Sequence, residues 1–501
     1  MSPLLIIRTD ASPEIGTGHV MRCLAFAEIW LRNGGQAILA PRLLPEYFEA
    51  RAQKMGLEVG RLTSPLGSLE DAAELIRLAK ARAAAWIMVD GYQFYESYQD
   101  SLANAGLAVL WVDDFGSLNH YSASMVLNQS LGATRARYPR ITASTRLLLG
   151  CRYLQLRREF LIWQHWQRNI PDTARRILIT MGGSDPDNVA LKALEGVIQT
   201  GLPLSATVIV GASSPNYQVL QNAVAGTSHR LVRNAENMPE LMSQADLAIT
   251  AGGTTAWELA YMGVPTLLIT QADNQLLNCE VLDREGAAQN LGWHHLLSAQ
   301  AIAQSLKNLT GNPVLRAAMS QAARKLVDGR GCLRVWLSLN ETHFQFRPAT
   351  AEDCALIHQW ANAPEVRAVS FSSNPIPWET HTLWFERKLH DAACDLWIAC
   401  GPDQKPAGQV RFERDGQIAV ISVSLDAAAR GQGRGSLLIW AGCRRLFQQR
   451  GETHIIHAYI KPENLASLRA FQNAGFGNVH KTVVQDQDAW RCDLTRESCM
   501  E

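Results

Sequence analysis

Short apolar runs of four or five residues, each followed by a helical pattern, recur from Leu4 to about Leu339, and several end in glycine pairs. That alternation constrains the fold more than any other feature of the chain. Candidate strands are Leu4–Arg8, Gln36–Ala40, Trp86–Asp90, Ala108–Val112 and Met125–Asn128, with helices expected after His19 and around residues 45–55, 69–84 and 95–105. Strand–helix–strand order with strands apolar throughout predicts a parallel sheet covered on both faces. The rhythm pauses over residues 130–172, an arginine-rich stretch with Trp163 and Trp166, which reads as a connection between two sheets. It resumes with Arg176–Thr180, Ala206–Val210, Leu247–Thr250 and Thr266–Thr270. From about Phe344 the pattern changes to a strand, two helices and antiparallel strands around Leu396–Cys400, Gln409–Arg414 and Ala419–Leu425, with Asp415-Gly416 as a hairpin turn. The sequence thus predicts an α/β protein: two doubly wound domains over residues 1–165 and 166–340, then an α+β domain over 344–501.

Composition narrows the partners. Lys plus Arg and Asp plus Glu both number 47, which argues against a general nucleic-acid binder while leaving room for a local anion site. At 47% hydrophobic and 19% charged residues, the chain is not of the disordered class. The ten cysteines form no CxxC pair and no dense Cys/His cluster, so neither a zinc site nor a disulfide framework is expected. Such scattered cysteines fit a reducing cytoplasm. The N-terminus reads as a first buried strand and not as a signal peptide, and no apolar run approaches the ~18 residues of a membrane span. The expectation is a cytoplasmic protein with no metal, no nucleic-acid partner and no membrane partner.

The first strand runs into Thr9-Asp-Ala-Ser-Pro-Glu-Ile-Gly16-Thr-Gly18-His19, where a helix opens. Gly16 and Gly18 let the backbone turn tightly and approach a ligand. The helix start offers free N–H groups to a phosphate. A dinucleotide fingerprint fits poorly, because its third glycine falls on Met21 and Ala40-Pro41-Arg42 stands where an acidic residue belongs. His19, at a helix end whose dipole opposes a cation, is placed either to accept a proton or simply to cap and pack.

A second set of loops follows in the next domain. Gly182-Gly183-Ser184 ends one strand, Gly252-Gly253-Thr254-Thr255 ends another, and Asp273-Asn274-Gln275 follows a third. Backbone N–H groups and the two threonine hydroxyls suit a diphosphate, and Glu258, one turn into the helix, suits the two hydroxyls of a ribose. Ordinary tight turns remain the alternative for any one of these loops, but three at one sheet edge favour a ligand site.

The paired pattern with Gly-Gly-Thr-Thr-x-x-Glu resembles the Rossmann-like halves of GT-B-fold enzymes that bind UDP-sugars. Together with Ile15-Gly-Thr-Gly-His-Val-Met-Arg-Cys-Leu24, Val89-Asp-Gly-Tyr92, Val112-Asp-Asp114, Leu149-Gly-Cys-Arg-Tyr153 and Asp273-Asn-Gln275, residues 4–335 resemble the UDP-sugar hydrolases of pseudaminic acid biosynthesis. That resemblance implies metal-free, inverting release of UDP from a UDP-2,4-diacetamido-2,4,6-trideoxyhexose. It implies His19 as the base on water and Tyr92 and Asn274 as contacts to sugar or diphosphate. Gly16, Gly18, Gly183, Ser184, Gly252, Gly253, Thr254, Thr255, Glu258 and Gln275 would form the UDP-sugar site. A glycosyltransferase differs only in the incoming nucleophile, so it stays open as an alternative.

In the last domain the strand around Ala419–Leu425 leads into Arg430-Gly431-Gln432-Gly433-Arg434-Gly435 and an apolar helix, an anion cradle of successive N–H groups. With Asn464-x-x-Ser467-x-x-x-Phe471-x-x-x-Gly475-Phe476 downstream, residues 344–495 resemble GNAT-family N-acetyltransferases. The resemblance implies acetyl-CoA as cosubstrate, its pyrophosphate on the cradle, backbone contacts from Val423 and Leu425, and Asn464 and Ser467 beside the pantetheine. Trp378-Glu-Thr-His381-Thr-Leu-Trp384-Phe385 is similar to the substrate-side helix of amino-sugar acetyltransferases, although core packing is the simpler reading of Trp384 and Phe385. The acceptor implied is the 4-amino group of a UDP-4-amino-4,6-dideoxy-2-acetamido sugar. Glu413 is a candidate base. Phe471 stands where many relatives carry the tyrosine that protonates the thiolate, which leaves Tyr459 as a candidate and a degenerate, binding-only domain as an alternative.

Overall fold

A computed structural model describes residues 2–12, 14–183, 185–211, 214–431 and 433–500. Ser184 and Gln432 lie outside the described residues. The chain divides near Val335 into two compact units.

The first unit contains two parallel sheets. One is built from β1 (Leu4–Thr9), β2 (Gln36–Leu39), β3 (Glu58–Val59), β4 (Trp86–Asp90), β5 (Val109–Val112), β6 (Met125–Asn128) and β7 (Arg146–Leu149), in the order β3-β2-β1-β4-β5-β6-β7. The other is built from β8 (Arg176–Thr180), β9 (Ser205–Val210), β10 (Arg230–Arg233), β11 (Leu247–Ala251), β12 (Thr266–Thr270) and β13 (Gln289–Trp293), in the order β10-β9-β8-β11-β12-β13. The central strands are buried throughout: every residue of β1, β5, β6, β11 and β12 is inaccessible. Helices cover both faces, and each Leu, Ile or Val so enclosed contributes about 1.5–3 kcal/mol.

The strands predicted for this unit are present with ends shifted by at most one residue, but β3, β7, β10 and β13 were not expected. These four are the edge strands of the two sheets. An edge strand needs no continuous apolar run, and β10 and β13 contain no fully buried residue. The arginine-rich connection therefore begins later than expected, because Arg146–Leu149 pairs with β6.

The second unit carries one mixed sheet: β14 (Gln345–Pro348), β15 (Cys394–Cys400), β16 (Pro406–Asp415), β17 (Ile418–Leu425), β18 (Ile455–Ile460), β19 (Gly477–Val484) and β20 (Gln487–Thr495), in the order β14-β15-β16-β17-β18-β20-β19. Only β17 and β18 pair in parallel. Val410, Phe412, Ala419, Ile421, Ile456 and Ala458 form a buried face. Helix Arg434–Gln449 packs there so closely that a side chain at Gly442 would stand 3.2 Å from Val410. Among the described residues, no helix is long and apolar enough to cross a membrane, and no group of three or more His, Cys, Asp or Glu is placed to hold a metal ion.

Candidate functional site

Topology fixes where a ligand can sit. In each parallel sheet the strand order reverses once, between β1 and β4 and between β8 and β11. Open α/β sheets bind ligands beyond the carboxyl ends of strands at such a reversal. Thr9 pairs with Asp90 and Thr180 with Thr250, so the loops after these four strands leave side by side. They line one cleft of about 490 Å³. Every described residue predicted for the UDP-sugar site lines it: Gly16, Gly18, His19, Tyr92, Gly183, Gly252, Gly253, Thr254, Thr255, Glu258, Asn274 and Gln275.

His19 occupies the first turn of helix Gly18–Arg32, and its Nδ1 lies 2.7 Å from Asp90 Oδ1 at the end of β4. With Nδ1–H donating to that carboxylate, Nε2 is left without a partner among the described residues. Arg22, one turn further along the helix, donates to both Asp90 oxygens at 2.6 Å and to Asp114 Oδ1 at 2.7 Å. Burial alone would raise the Asp90 carboxyl, but Arg22 and His19 hold it well below the usual carboxylate range. Burial likewise opposes ionisation of Asp114, and Arg22 again prevails and lowers it. Tyr92 O–H donates to Asp114 Oδ2 at 2.7 Å and accepts from Asn274 Nδ2 at 2.9 Å, and its ring meets His19 edge-on at 4.6 Å. Although Tyr92 is 45% exposed, desolvation of its hydroxyl and the Asp114 carboxylate push the phenol upward, so it stays protonated. The Oδ1 of Asn274 is buried with no hydrogen-bond partner, a free acceptor at the cleft.

On the other wall, helix Thr254–Tyr261 opens after Gly253. Two of the predicted residues bond to each other here. Gly252 N–H donates to Gln275 Oε1 at 3.2 Å, and the same oxygen accepts from Gln271 N–H. Gly252 is therefore not a free donor, and the Gln275 carbonyl oxygen fastens the loop instead of a ligand. The glycine is required by packing, because a Cβ there would meet Cys279 Sγ at 2.3 Å. Gly183 is similarly tight, since a Cβ would stand 2.8 Å from Thr17 Oγ1. Glu258 gives Oε1 to Arg157 Nε at 2.7 Å, which leaves one oxygen for a ligand hydroxyl.

Asp90, Arg22 and Asp114 lie within the motifs that carry the resemblance, but spacing gives them no role, and Arg157 falls in the arginine-rich connection. Acidic residues ending β4 and β5, the strands on one side of the reversal, were the available signal.

The second unit holds a different opening. The β17/β18 ladder stops at Val420 opposite His457, and the strands diverge beyond it. Asp426 N–H donates to Ala407 O, and Gln417 O accepts from His454 N–H. Antiparallel pairing alternates, so these bonds fix the odd-numbered residues of β17 as those whose backbone groups face β18. Val423 and Leu425 thus point amides into the opening. The Leu425 carbonyl is taken by Arg430 Nε at 3.2 Å. Gly431 and Gly433 both adopt positive φ, +77° and +70°, just before helix Arg434–Gln449, which also contains Gly435. Left-handed glycines at a helix start can turn their N–H groups to one side. The Arg430 guanidinium is committed to Glu365 and Leu425, so its contribution to the cradle would be from its backbone.

Asn464 caps helix Leu465–Asn473 by accepting from Ser467 N–H, and its amide nitrogen has no partner among the described residues. Phe471 is buried edge-on against Phe476 at 5.0 Å. Phe385 is core, whereas Trp384 lies under the Arg411 guanidinium at 4.9 Å. Glu413, on β16, is one strand further from the opening than β17 and contacts Lys388 Nζ at 3.3 Å and Arg411 Nε at 3.1 Å.

Comparison with known proteins agrees with this division. The glycosyltransferase family 28 C-terminal domain matches residues 177–329, and the acetyltransferase (GNAT) domain matches residues 343–477. The spore coat polysaccharide biosynthesis protein SpsG of Bacillus subtilis is 28% identical over 240 residues, which is 47% of this chain and 70% of that protein. The UDP-2,4-diacetamido-2,4,6-trideoxy-beta-L-altropyranose hydrolase of Campylobacter jejuni is 23% identical over 290 residues, 56% of this chain and 97% of that enzyme. An uncharacterized protein of Methanocaldococcus jannaschii is 21% identical over 502 residues, 95% of this chain and 97% of its own. The chain thus joins a stretch similar to the glycosyltransferase family 28 C-terminal domain, preceded by a second parallel α/β sheet, to a C-terminal domain similar to GNAT acetyltransferases.

Proposed function

We propose that the chain is a bifunctional sugar-nucleotide enzyme of nonulosonate (pseudaminic acid) biosynthesis, working in the cytoplasm. Its C-terminal domain acetylates the 4-amino group of a UDP-4-amino-4,6-dideoxy-2-acetamido sugar with acetyl-CoA. The first unit then hydrolyses the UDP-2,4-diacetamido-2,4,6-trideoxyhexose to UDP and free sugar. The observation that carries this reading is His19, held through Nδ1 by Asp90 with Nε2 left unpartnered in the cleft. Nε2 takes a proton from water as the water oxygen attacks the anomeric carbon from the face opposite UDP, and the bond from that carbon to the diphosphate oxygen breaks with inversion. The departing negative charge falls on the N–H groups at the start of helix Thr254–Tyr261 and on the Thr254 and Thr255 hydroxyls. Asn274 Oδ1 and the second oxygen of Glu258 accept from sugar and ribose hydroxyls.

Incubation with the UDP-2,4-diacetamido sugar in ¹⁸O-water tests it. The expected result is label on the anomeric carbon of the free sugar, unlabelled UDP and an inverted anomer by NMR. A second reading, a UDP-sugar glycosyltransferase, is favoured by the family 28 match. It gains if UDP appears only when an acceptor sugar is added.

A further inference from the structure

The GNAT domain carries a histidine–carboxylate pair of its own, bonded like His19 through Nδ1. His457, on β18, places Nδ1 2.7 Å from Asp493 Oδ1 on β20. Arg491 Nε lies 3.2 Å from the same oxygen. His457 is also the last β18 residue paired with β17. It therefore stands at the vertex of the opening into which Val423 and Leu425 aim their amides.

Its side chain belongs to the polar face of the sheet. Ile456 and Ala458, its neighbours in sequence, are buried on the opposite face beneath helix Arg434–Gln449. The register Glu413–Val420–His457 puts Glu413 in the same row, but two strands away, about 10 Å at ordinary strand spacing. Glu413 is moreover occupied by Lys388 and Arg411. His457, by contrast, keeps Nε2 without a partner among the described residues, and Asp493 fixes the tautomer that leaves Nε2 as the acceptor.

We infer that His457 Nε2, oriented by Asp493, is the group that takes the proton from the acceptor ammonium in acetyl transfer. This rests on the acetyl-transfer reading above. The ammonium gives one proton to Nε2, and the free amine attacks the thioester carbonyl. The new C–N bond forms, the C–S bond breaks, and the thiolate leaves with a proton from the amine nitrogen. His457 returns its proton to solvent. Glu413 is thereby moved from base to ion-pair partner.

The test uses the full chain, acetyl-CoA and a panel of amines: the UDP-4-amino-4,6-dideoxy sugar, an aminoglycoside and a polyamine. With whichever amine the wild type acetylates, His457→Ala is expected to lose about 10²-fold in kcat. Its Kd for acetyl-CoA should stay within about twofold, and added imidazole should restore turnover in proportion to its concentration. Glu413→Gln should keep at least half of kcat. The inference is overturned if His457→Ala keeps most of its kcat, if imidazole restores nothing to either His457→Ala or His457→Gly while acetyl-CoA still binds, or if Glu413→Gln shows the larger loss. Turnover of another amine but not the sugar nucleotide would sink the substrate reading and leave His457 testable on that amine. No turnover with any of the three would overturn both.

Discussion

The two units present the same three-residue device in different settings. In the first, His19 and Arg22 converge on Asp90; in the second, His457 and Arg491 converge on Asp493, with both histidine contacts at 2.7 Å. The settings differ in rigidity. Asp90 is fully buried and bound through both oxygens by Arg22, which is itself fixed by Asp114. Asp493 receives a single 3.2 Å approach from Arg491, whose side chain is 37% exposed. A parallel sheet buried on both faces surrounds its charges with low dielectric, so the first device is strongly polarised and immobile. A sheet with one polar face leaves the second partly in contact with water. The lesson is that a shared contact distance does not imply a shared strength, because burial and the number of fixed partners set how much each contact holds.

The comparison can be broken most decisively at the first histidine. His19→Asn is expected to lower UDP release by about 10²–10⁴-fold while acetyl transfer stays within about twofold. Asp90→Asn should approach the same loss, because the ring then lacks the carboxylate that selects its tautomer. Parallel assays of UDP and CoA release would check both. Equal losses in the two activities would mean the substitutions act through folding.

Acid stability sharpens the electrostatic half. Asp90 and Asp114 both have folded values held below the ordinary carboxylate value. Their contribution is therefore complete above the unfolded value of about 4 and is lost as pH falls through the folded values. Wild type should exceed Asp114→Asn by about 1–3 kcal/mol at neutral pH, with the gap narrowing progressively as pH falls below about 4. Urea unfolding across pH measures this, and a gap that stayed constant would remove the electrostatic argument.

The smallest effect is expected at the looser pair. Asp493→Asn should reduce acetyl transfer by only about 3- to 10-fold, since the half-buried ring keeps some contact with water that can help orient it. Imidazole should not rescue it, because the ring is still present. A loss as large as that of His457→Ala would place the two devices on equal footing.

What could be read in advance followed burial. β1, β4, β5 and β6 and β8, β9, β11 and β12 are central strands with nearly continuous apolar runs, and each was found within two residues of its end. The four edge strands escaped because their pattern is mixed. Similarly, the glycine loops and His19 were visible at strand ends, yet Gly252 proved to be a packing glycine against Cys279, and Gln275 its fastener. Spacing shows that a backbone must turn; it does not show which N–H groups remain free after the turn closes.

The sequence alone determined the layered α/β architecture, the change of domain type near Phe344 and the loops that gather around each opening. Local periodicity and turn chemistry encode these directly. Only the tertiary structure decided the partners: Asp90 for His19 from 71 positions away, Arg157 for Glu258 from 101, and Asp493 for His457 from 36. Such pairings depend on strand order and on side chains meeting across a reversal or, as for His457 and Asp493, across neighbouring antiparallel strands. That geometry exists only once the sheets have formed and water has been excluded from between their elements.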